Sequence, residues 1–360
     1  MRMRQPWTAS LPAWRGAVPG LAAALLFGAS TPLAKLLLGE GVAPQVLAGL
    51  LYLGSGVGLS ALLAARWMAR RDPGEAGLRP ADLPQLAGAV ALGGVLAPAL
   101  LMQGLARTAA ADASLLLNLE ALATMGIAWI VYRENVDRRL LLGALAILAG
   151  AVSLSWQGTS LHATGGTWFI AGACLAWGAD NNLTRGLARR DPLQIAAIKG
   201  LVAGIVNLAL ARLLHAGLPG AAQAGAAATV GFLGYGVSLV LFVLGLRHVG
   251  TARTAAYFSI APFVGALLAV PLLSEPVTAR LLVAGALMAC GLWLHLAERH
   301  EHAHHHPALD HEHRHTHDEH HRHAHGTQDP PGEPHSHRHH HEPVTHRHAH
   351  YPDLHHRHDH

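Results

Sequence analysis

Charge is scarce in this sequence. Only 13 % of its 360 residues are Asp, Glu, Lys or Arg, about half the share of roughly 25 % found in soluble domains. A water-facing globule of this length could not be covered with so little charge, which excludes a soluble enzyme built on one core. Cysteine is nearly absent as well. Cys174 and Cys290 are the only two, so a disulfide scaffold is excluded and each thiol is expected to pack in an apolar helix. The chain has no His-Glu-x-x-His, no phosphate-binding Gly-x-x-x-x-Gly-Lys-Ser/Thr and no Gly-x-Ser-x-Gly, the spacings that zinc hydrolysis, nucleotide binding and a nucleophilic serine need. It is therefore not expected to be an enzyme. ATP cannot drive it through its own chain in the usual way. An ion gradient or simple facilitation remains.

What the chain does hold is apolar length, and it holds it unevenly. Hydrophobic residues make up 51 %. Of 29 histidines, 25 lie in residues 300–360. Up to residue 296 there are 20 basic and 11 acidic side chains; beyond it there are 6 and 11. The net charge of +4 thus describes neither part and is no sign of nucleic-acid binding. The first part contains ten apolar runs, at 17–38, 43–66, 83–104, 108–131, 138–156, 165–186, 192–213, 224–246, 251–273 and 278–297. Each approaches the ~20 residues that cross a bilayer, and their Ala, Gly and Leu content suits close helix packing in lipid. The first run follows Met1-Arg2-Met3-Arg4 and lacks a clear small-residue cleavage site, so it reads as a first membrane helix rather than a signal peptide. With the N-terminus in the cytoplasm, 15 arginines fall in inside segments and 3, Arg107, Arg212 and Arg280, in outside ones. That bias predicts cytoplasmic N- and C-termini in a bacterial-type inner or plasma membrane.

Two internal repeats are visible. Leu117-Asn118-Leu119-Glu120-Ala121 and Phe258-Ser259-Ile260-Ala261-Pro262 align at a spacing of 141 residues, and Glu134 aligns with Glu275 at the same spacing. Phe27-Gly28-Ala29 aligns with Trp177-Gly178-Ala179, and Lys35 with Arg185, at 150. The halves are 15–156 and 165–297, with five helices each. An odd number makes the second half enter from the opposite side, the inverted-repeat plan of many transporters.

On these residues the chain resembles the drug/metabolite transporter superfamily, and within it the ten-helix transporters built from two EamA domains. The resemblance rests on Leu26-Phe27-Gly28-Ala29 and Ala176-Trp177-Gly178-Ala179 at the first helix of each half. It rests further on Leu115-Leu116-Leu117-Asn118-Leu119-Glu120 running to Arg133-Glu134, and on Ala255-Ala256-Tyr257-Phe258-Ser259-Ile260-Ala261-Pro262 running to Glu275-Pro276. It spans 15–297 and implies secondary transport of a small solute, such as export of a metabolite or amino acid. Ala121 stands where the family pattern has the proline kept here at Pro262, so no proline enforces a symmetric helix break in the first half.

Ionisable and polar groups inside the runs are the candidates for transport, because each is costly in lipid unless paired or wet. Glu120 and the run Asp180-Asn181-Asn182 are expected near the middle of helices four and six, on a central cavity, with Asn118, Ser259, Lys199 and Lys35 as further lining residues. A carboxylate there could carry a proton or cation, and the amides could bind a polar solute. The alternative is a static Glu–Lys or Asp–Lys pair that fixes helix packing. Glu134 and Glu275 end helices and are expected to anchor at the interface or cap the next helix. Trp156, Trp168 and Trp293 lie near helix ends, as interfacial tryptophans do.

After residue 297 apolar residues nearly vanish, and a disordered tail over 298–360 is expected. Its histidines alternate: His311, His313, His315 and His317; His321, His323 and His325; His335, His337 and His339; His346, His348 and His350. In an extended chain such residues share a side. Imidazoles so spaced suit Zn, Ni, Co or Cu. The fold class expected is thus an all-α integral membrane protein with ten transmembrane helices in two inverted five-helix repeats and a disordered tail. Its partners would be the lipid bilayer and a small-molecule or ion substrate, without nucleic acid. No cofactor is required, and the tail could bind divalent metal. Two further functions compete with solute export: divalent metal efflux using the tail, and a non-transporting membrane metal sensor or store.

Overall fold

The computed structural model describes residues 13–69, 76–132, 138–157, 160–161, 165–187, 190–249, 254 and 257–296, with four tail segments at 300–306, 309–315, 335–341 and 344–350. Among the described residues, ten helices form the bundle. They are α1 (Ala13–Gly39), α2 (Pro44–Met68), α3 (Pro80–Arg107), α4 (Ala110–Leu116 and Leu119–Tyr132), α5 (Arg138–Ser155), α6 (Gly165–Arg185), α7 (Pro192–Leu213), α8 (221–249), α9 (Ala261–Leu273) and α10 (Ala279–Leu296). Helices are the element a bilayer demands, because every backbone N–H and C=O must be bonded within the segment. Starts are set locally. Asp191 precedes α7 and accepts a bond from the Leu193 N–H at 2.9 Å, with Pro192 in the first turn, a position where its missing donor is no loss. Outward faces are apolar: Leu141, Leu145, Leu148 and Val152 recur at helical spacing on α5 and are exposed.

The halves exchange across a pseudo-two-fold. The most extensive helix contacts are α2 with α7 and α5 with α10, each between equivalent helices of the two halves. Within α2–α7, Gly56 lies against the Leu201 backbone and Gly204 against the Leu53 backbone. Within α5–α10, Gly150 lies against Met288 and Gly291 against Ile147. Each pair of contacts maps onto itself when the halves are swapped, the signature of a two-fold relation. Glycine is required at Gly56 and Gly204 because a Cβ would run into opposing main chain.

Two irregularities recur in both halves. α3 carries a π-helical turn at Val90–Leu96 and α8 one at Phe232–Val237, 141 residues apart at their closing ends. α4 breaks after Leu116, and α9 begins at Ala261 after a turn. The first break needs no proline. The Leu117, Asn118 and Glu120 amides bond three residues back, to Ser114, Leu115 and Leu117, at 3.2, 3.1 and 3.0 Å. The Asn118 side chain adds a bond to the Leu115 carbonyl at 2.8 Å, supplying the local alternative to the helix ladder that asparagine favours.

Trp156–Gln157 pairs antiparallel with Ser160–Leu161 at the link between halves. In the tail, His300–His306 pairs with Val344–His350 and Leu309–His315 with His335–His341 as extended backbone. His317, His321, His323 and His325 lie outside the described residues, as do the side chains of the other tail histidines.

A candidate transport site beside the pi turn of helix three

Gly93 and Gly94 fall within the π turn of α3, and their carbonyls collect donors from three other helices. The Gly93 carbonyl accepts from the Tyr52 hydroxyl at 2.8 Å and from the Trp177 indole N–H at 3.0 Å. The Gly94 carbonyl accepts from the Asn207 amide at 3.2 Å, and Asn207 in turn accepts from Gln45 at 2.7 Å. π turns of this kind cluster at functional sites. Here the turn ties α2, α6 and α7 to one bend of α3. Gly93 must be glycine, since a Cβ would occupy the place of the Asp180 carboxylate.

Asp180 is 4 % exposed. It pairs with Lys199 across α6 and α7 and accepts from the Thr184 hydroxyl at 3.0 Å. The pair is neutral as a unit, and the Lys199 stem covers Gly94, whose Cβ would lie 3.4 Å from Cγ. Asp180 lies five residues before the end of α6 at Arg185, nearer the α7 junction than the helix middle expected for it.

Glu120 lies in the first turn after the α4 break. It accepts from the Asn181 amide at 2.9 Å, and Asn181 also donates to the Thr124 hydroxyl at 3.1 Å. Asn182 is turned inward and donates to the Thr124 and Gly178 carbonyls at 3.0 and 2.8 Å. Asn181 is exposed, and Glu120 and Thr124 are half-buried. Asn181 is thus the exposed polar group of the set, and an amide turned to lipid would be costly.

Tyr235 packs within a chain of aromatic rings. Phe27 stacks near Tyr235 and Phe258, with ring centroids 5.7 and 5.3 Å apart, and Phe242 meets Phe258 at 4.9 Å. Tyr52 joins the same chain of rings at 5.4 Å from Tyr235.

The structure therefore brings together Glu120, Asp180, Asn181 and Lys199, with Asn182 adjoining. It sets two other candidates apart. Asn118 is buried in the α4 break. Lys35 donates to the Leu105 and Thr108 carbonyls at 2.6 and 2.9 Å, closing the C-terminal end of α3 as a cation does. Ser259 is half-buried in the turn before α9. Glu275 caps a helix, but of the other half: it accepts from the Ala110 and Ala111 amides of α4 at 2.6 and 2.8 Å. Glu134 lies outside the described residues. Cys174 is buried and Cys290 exposed, both free. Trp168 and Trp293 are exposed, as interfacial anchors are; the Trp156 side chain is not described.

Reading charges alone missed Trp177, Gly93, Gln45 and Asn207. The Gly93-Gly94 pair and the lone amide Asn207 inside apolar runs were the available signals. Among the described residues, no group of three or more His, Cys, Asp or Glu could hold a metal ion.

Comparison with known proteins follows the same two halves. The sequence matches the EamA-like transporter family over residues 14–156 and again over 164–297. An uncharacterized transporter of Methanothermobacter thermautotrophicus is 28 % identical over 294 residues, covering 78 % of this chain and 85 % of that protein. A solved crystal structure whose description names no activity superposes with a TM-score of 0.57 at 21 % identity, covering 78 % of this chain and 95 % of that one. That likeness shows the fold.

Proposed function

The chain belongs to the EamA-like transporter family, a multi-pass membrane transporter, and from that premise we propose that it is a secondary exporter of a small organic solute. Alternating access would rock one half against the other around Glu120, Asn181 and the Asp180–Lys199 pair. The observation that carries this reading is the hydrogen bond from the exposed Asn181 amide to the half-buried Glu120 carboxylate, beside a fully paired, buried Asp180. A carboxylate outside the ion pair can exchange a ligand or proton, whereas a packing pair needs no such exchange. The arginine bias places both termini in the cytoplasm in this reading.

Flux of a solute panel into proteoliposomes tests it. Glu120→Gln is expected to cut coupled flux at least about tenfold, the scale of losing one essential protonatable group. Unchanged flux in that variant would overturn the assignment.

We further propose that the alternating histidines of the tail bind divalent metal, Zn, Ni, Co or Cu, independently of the transport path. Metal content of the purified full chain, compared with a chain lacking residues 299–360, tests this; equal content in both overturns it.

A further inference from the structure

Helix packing sorts the centre of the bundle into two lobes that each draw on both repeats. α3 and α4 pack on α6, and their equivalents α8 and α9 pack on α1. The lobes are unequal. The first holds Glu120, Asp180 and Asn181; the second holds the rings of Phe27, Tyr235, Phe242 and Phe258. They also meet unequally along their length. At the far end, where α1 and α3 finish and α4 starts, the first segment of α4 (Ala110–Leu116) packs on α9 and α1 of the other lobe. All of that segment but Asp112 is buried, and a Cβ at Gly265 of α9 would lie 2.6 Å from the Ser114 Oγ. At the near end, where α1 starts, the second segment of α4 packs on α6 and α5 instead. Of residues 119–131 only Ala128 is buried. The lobes close on each other at the far end, and beyond the α4 break that contact is not continued.

Two charges join the lobes at the closed end. Lys35 of α1 donates to the Leu105 and Thr108 carbonyls that end α3, and Glu275, just past α9, accepts from the Ala110 and Ala111 amides that start α4. Each charge closes a helix end of the opposite lobe. Helix ends are commonly capped by their own neighbours in sequence; a cap supplied across a lobe boundary exists only while the lobes are together. Such bonds can be released, because the adjoining Ala109 and Pro276 are exposed and water can replace the partner there. The closed end also carries a cost that opening would relieve. Among the described residues, the two buried side-chain oxygens without a hydrogen-bond partner are Thr108 Oγ1 and Ser114 Oγ, one beside the Lys35 contact and one against Gly265. Buried hydroxyls left this way are uncommon, and water admitted between the lobes would satisfy both. Both charges recur in the repeat, as Arg185 and Glu134, which a cap peculiar to one helix end would not require. Resting on the transport reading above, with these lobes as its moving parts, we propose that Lys35 and Glu275 are the latch of a gate. They hold the far end shut in the present state, and both release when the site is presented to the far face.

Thiol labelling from each face of sealed vesicles reads the latch directly. Ser114→Cys, 1 % exposed as the native serine, reports the far end, and Asn181→Cys reports the near end, each in a full chain with Cys174→Ala and Cys290→Ala. With the latch intact, a membrane-impermeant maleimide on the far face is expected to label position 114 slowly. Lys35→Met and Glu275→Ala should each speed that labelling about tenfold or more, the scale of a population shift when one charge-assisted contact is lost. The same variants should slow labelling of position 181 from the near face, and Lys35→Arg, which keeps the donors, should restore most of the native rates. Native Cys174, buried and kept as the single thiol, should stay unlabelled in both latch variants; its labelling would mark unfolding, and Lys35→Arg then carries the comparison through its own two rates. Unchanged labelling at 114, or faster labelling at 114 with no fall at 181, would make the two charges caps of a static seal and overturn the latch. Flux measured in parallel separates the two claims. Flux of a solute with unchanged labelling sinks the latch and leaves transport standing. Opposite shifts at 114 and 181 with no flux of any solute sink transport and leave the latch.

Discussion

Asp180 and Lys199 hold each other's charge inside a bundle that spans lipid, so neither can be removed alone without leaving its partner unpaired at low dielectric. Asp180→Asn and Lys199→Met are each expected to destabilise by about 3–5 kcal/mol, and the double variant to recover most of the loss. Thermal melts of the four proteins in one detergent check this; additive losses would show that the two side chains act separately. The ionisable residues of the site were legible because lipid makes any charge conspicuous. Trp177 and Asn207 were not, since their partners are the carbonyls of Gly93 and Gly94. Which carbonyls a π turn presents is a backbone choice that residue type does not announce.

At the scale of the element, helix ends are closed by charges from elsewhere in the chain. Glu275 places a carboxylate on the amides that start α4, and Lys35 places an ammonium on the carbonyls that end α3. Both follow the helix dipole. Glu275→Ala should cost about 1–2 kcal/mol, the range of a lost cap, read as a lower melting temperature; an unchanged melt would make the contact incidental. Close crossings fail harder. Gly56→Val must push α2 off α7 and is expected to abolish monodisperse protein, whereas Gly217→Val, with nothing within 4 Å, should be tolerated. Size-exclusion profiles separate the two. The helices themselves were plain in the apolar runs. The break in α4 was not, because Asn118 and three-residue-back amide bonds do there what a proline does in α9.

The whole molecule is two inverted halves whose equivalent helices pack on each other and whose site is unequal. The repeat was legible because the Phe-Gly-Ala and Trp-Gly-Ala segments and the two glutamates kept their spacing. The inequality of the lobes was only half visible, since sequence marks the charged lobe and gives no hint that Phe27, Phe242 and Phe258 converge. Hydropathy also understates α6, which falls short of the apolar standard that seven other spans meet; it is the helix carrying Asp180, Asn181 and Asn182. A reporter fused after residue 296 should be active in the cytoplasm, and one placed in the 214–220 loop outside it; the reverse would invert the topology. The central claim is that Asn181, the amide that holds Glu120, faces water rather than lipid or packed protein. The direct measurement is labelling of Asn181→Cys, in a chain with Cys174→Ala and Cys290→Ala, by a membrane-impermeant maleimide, against the outward-facing Leu267→Cys, which is 74 % exposed in the bare fold. The account predicts rapid labelling at 181 and little at 267. No labelling at 181, or equal slow labelling at both, would contradict it.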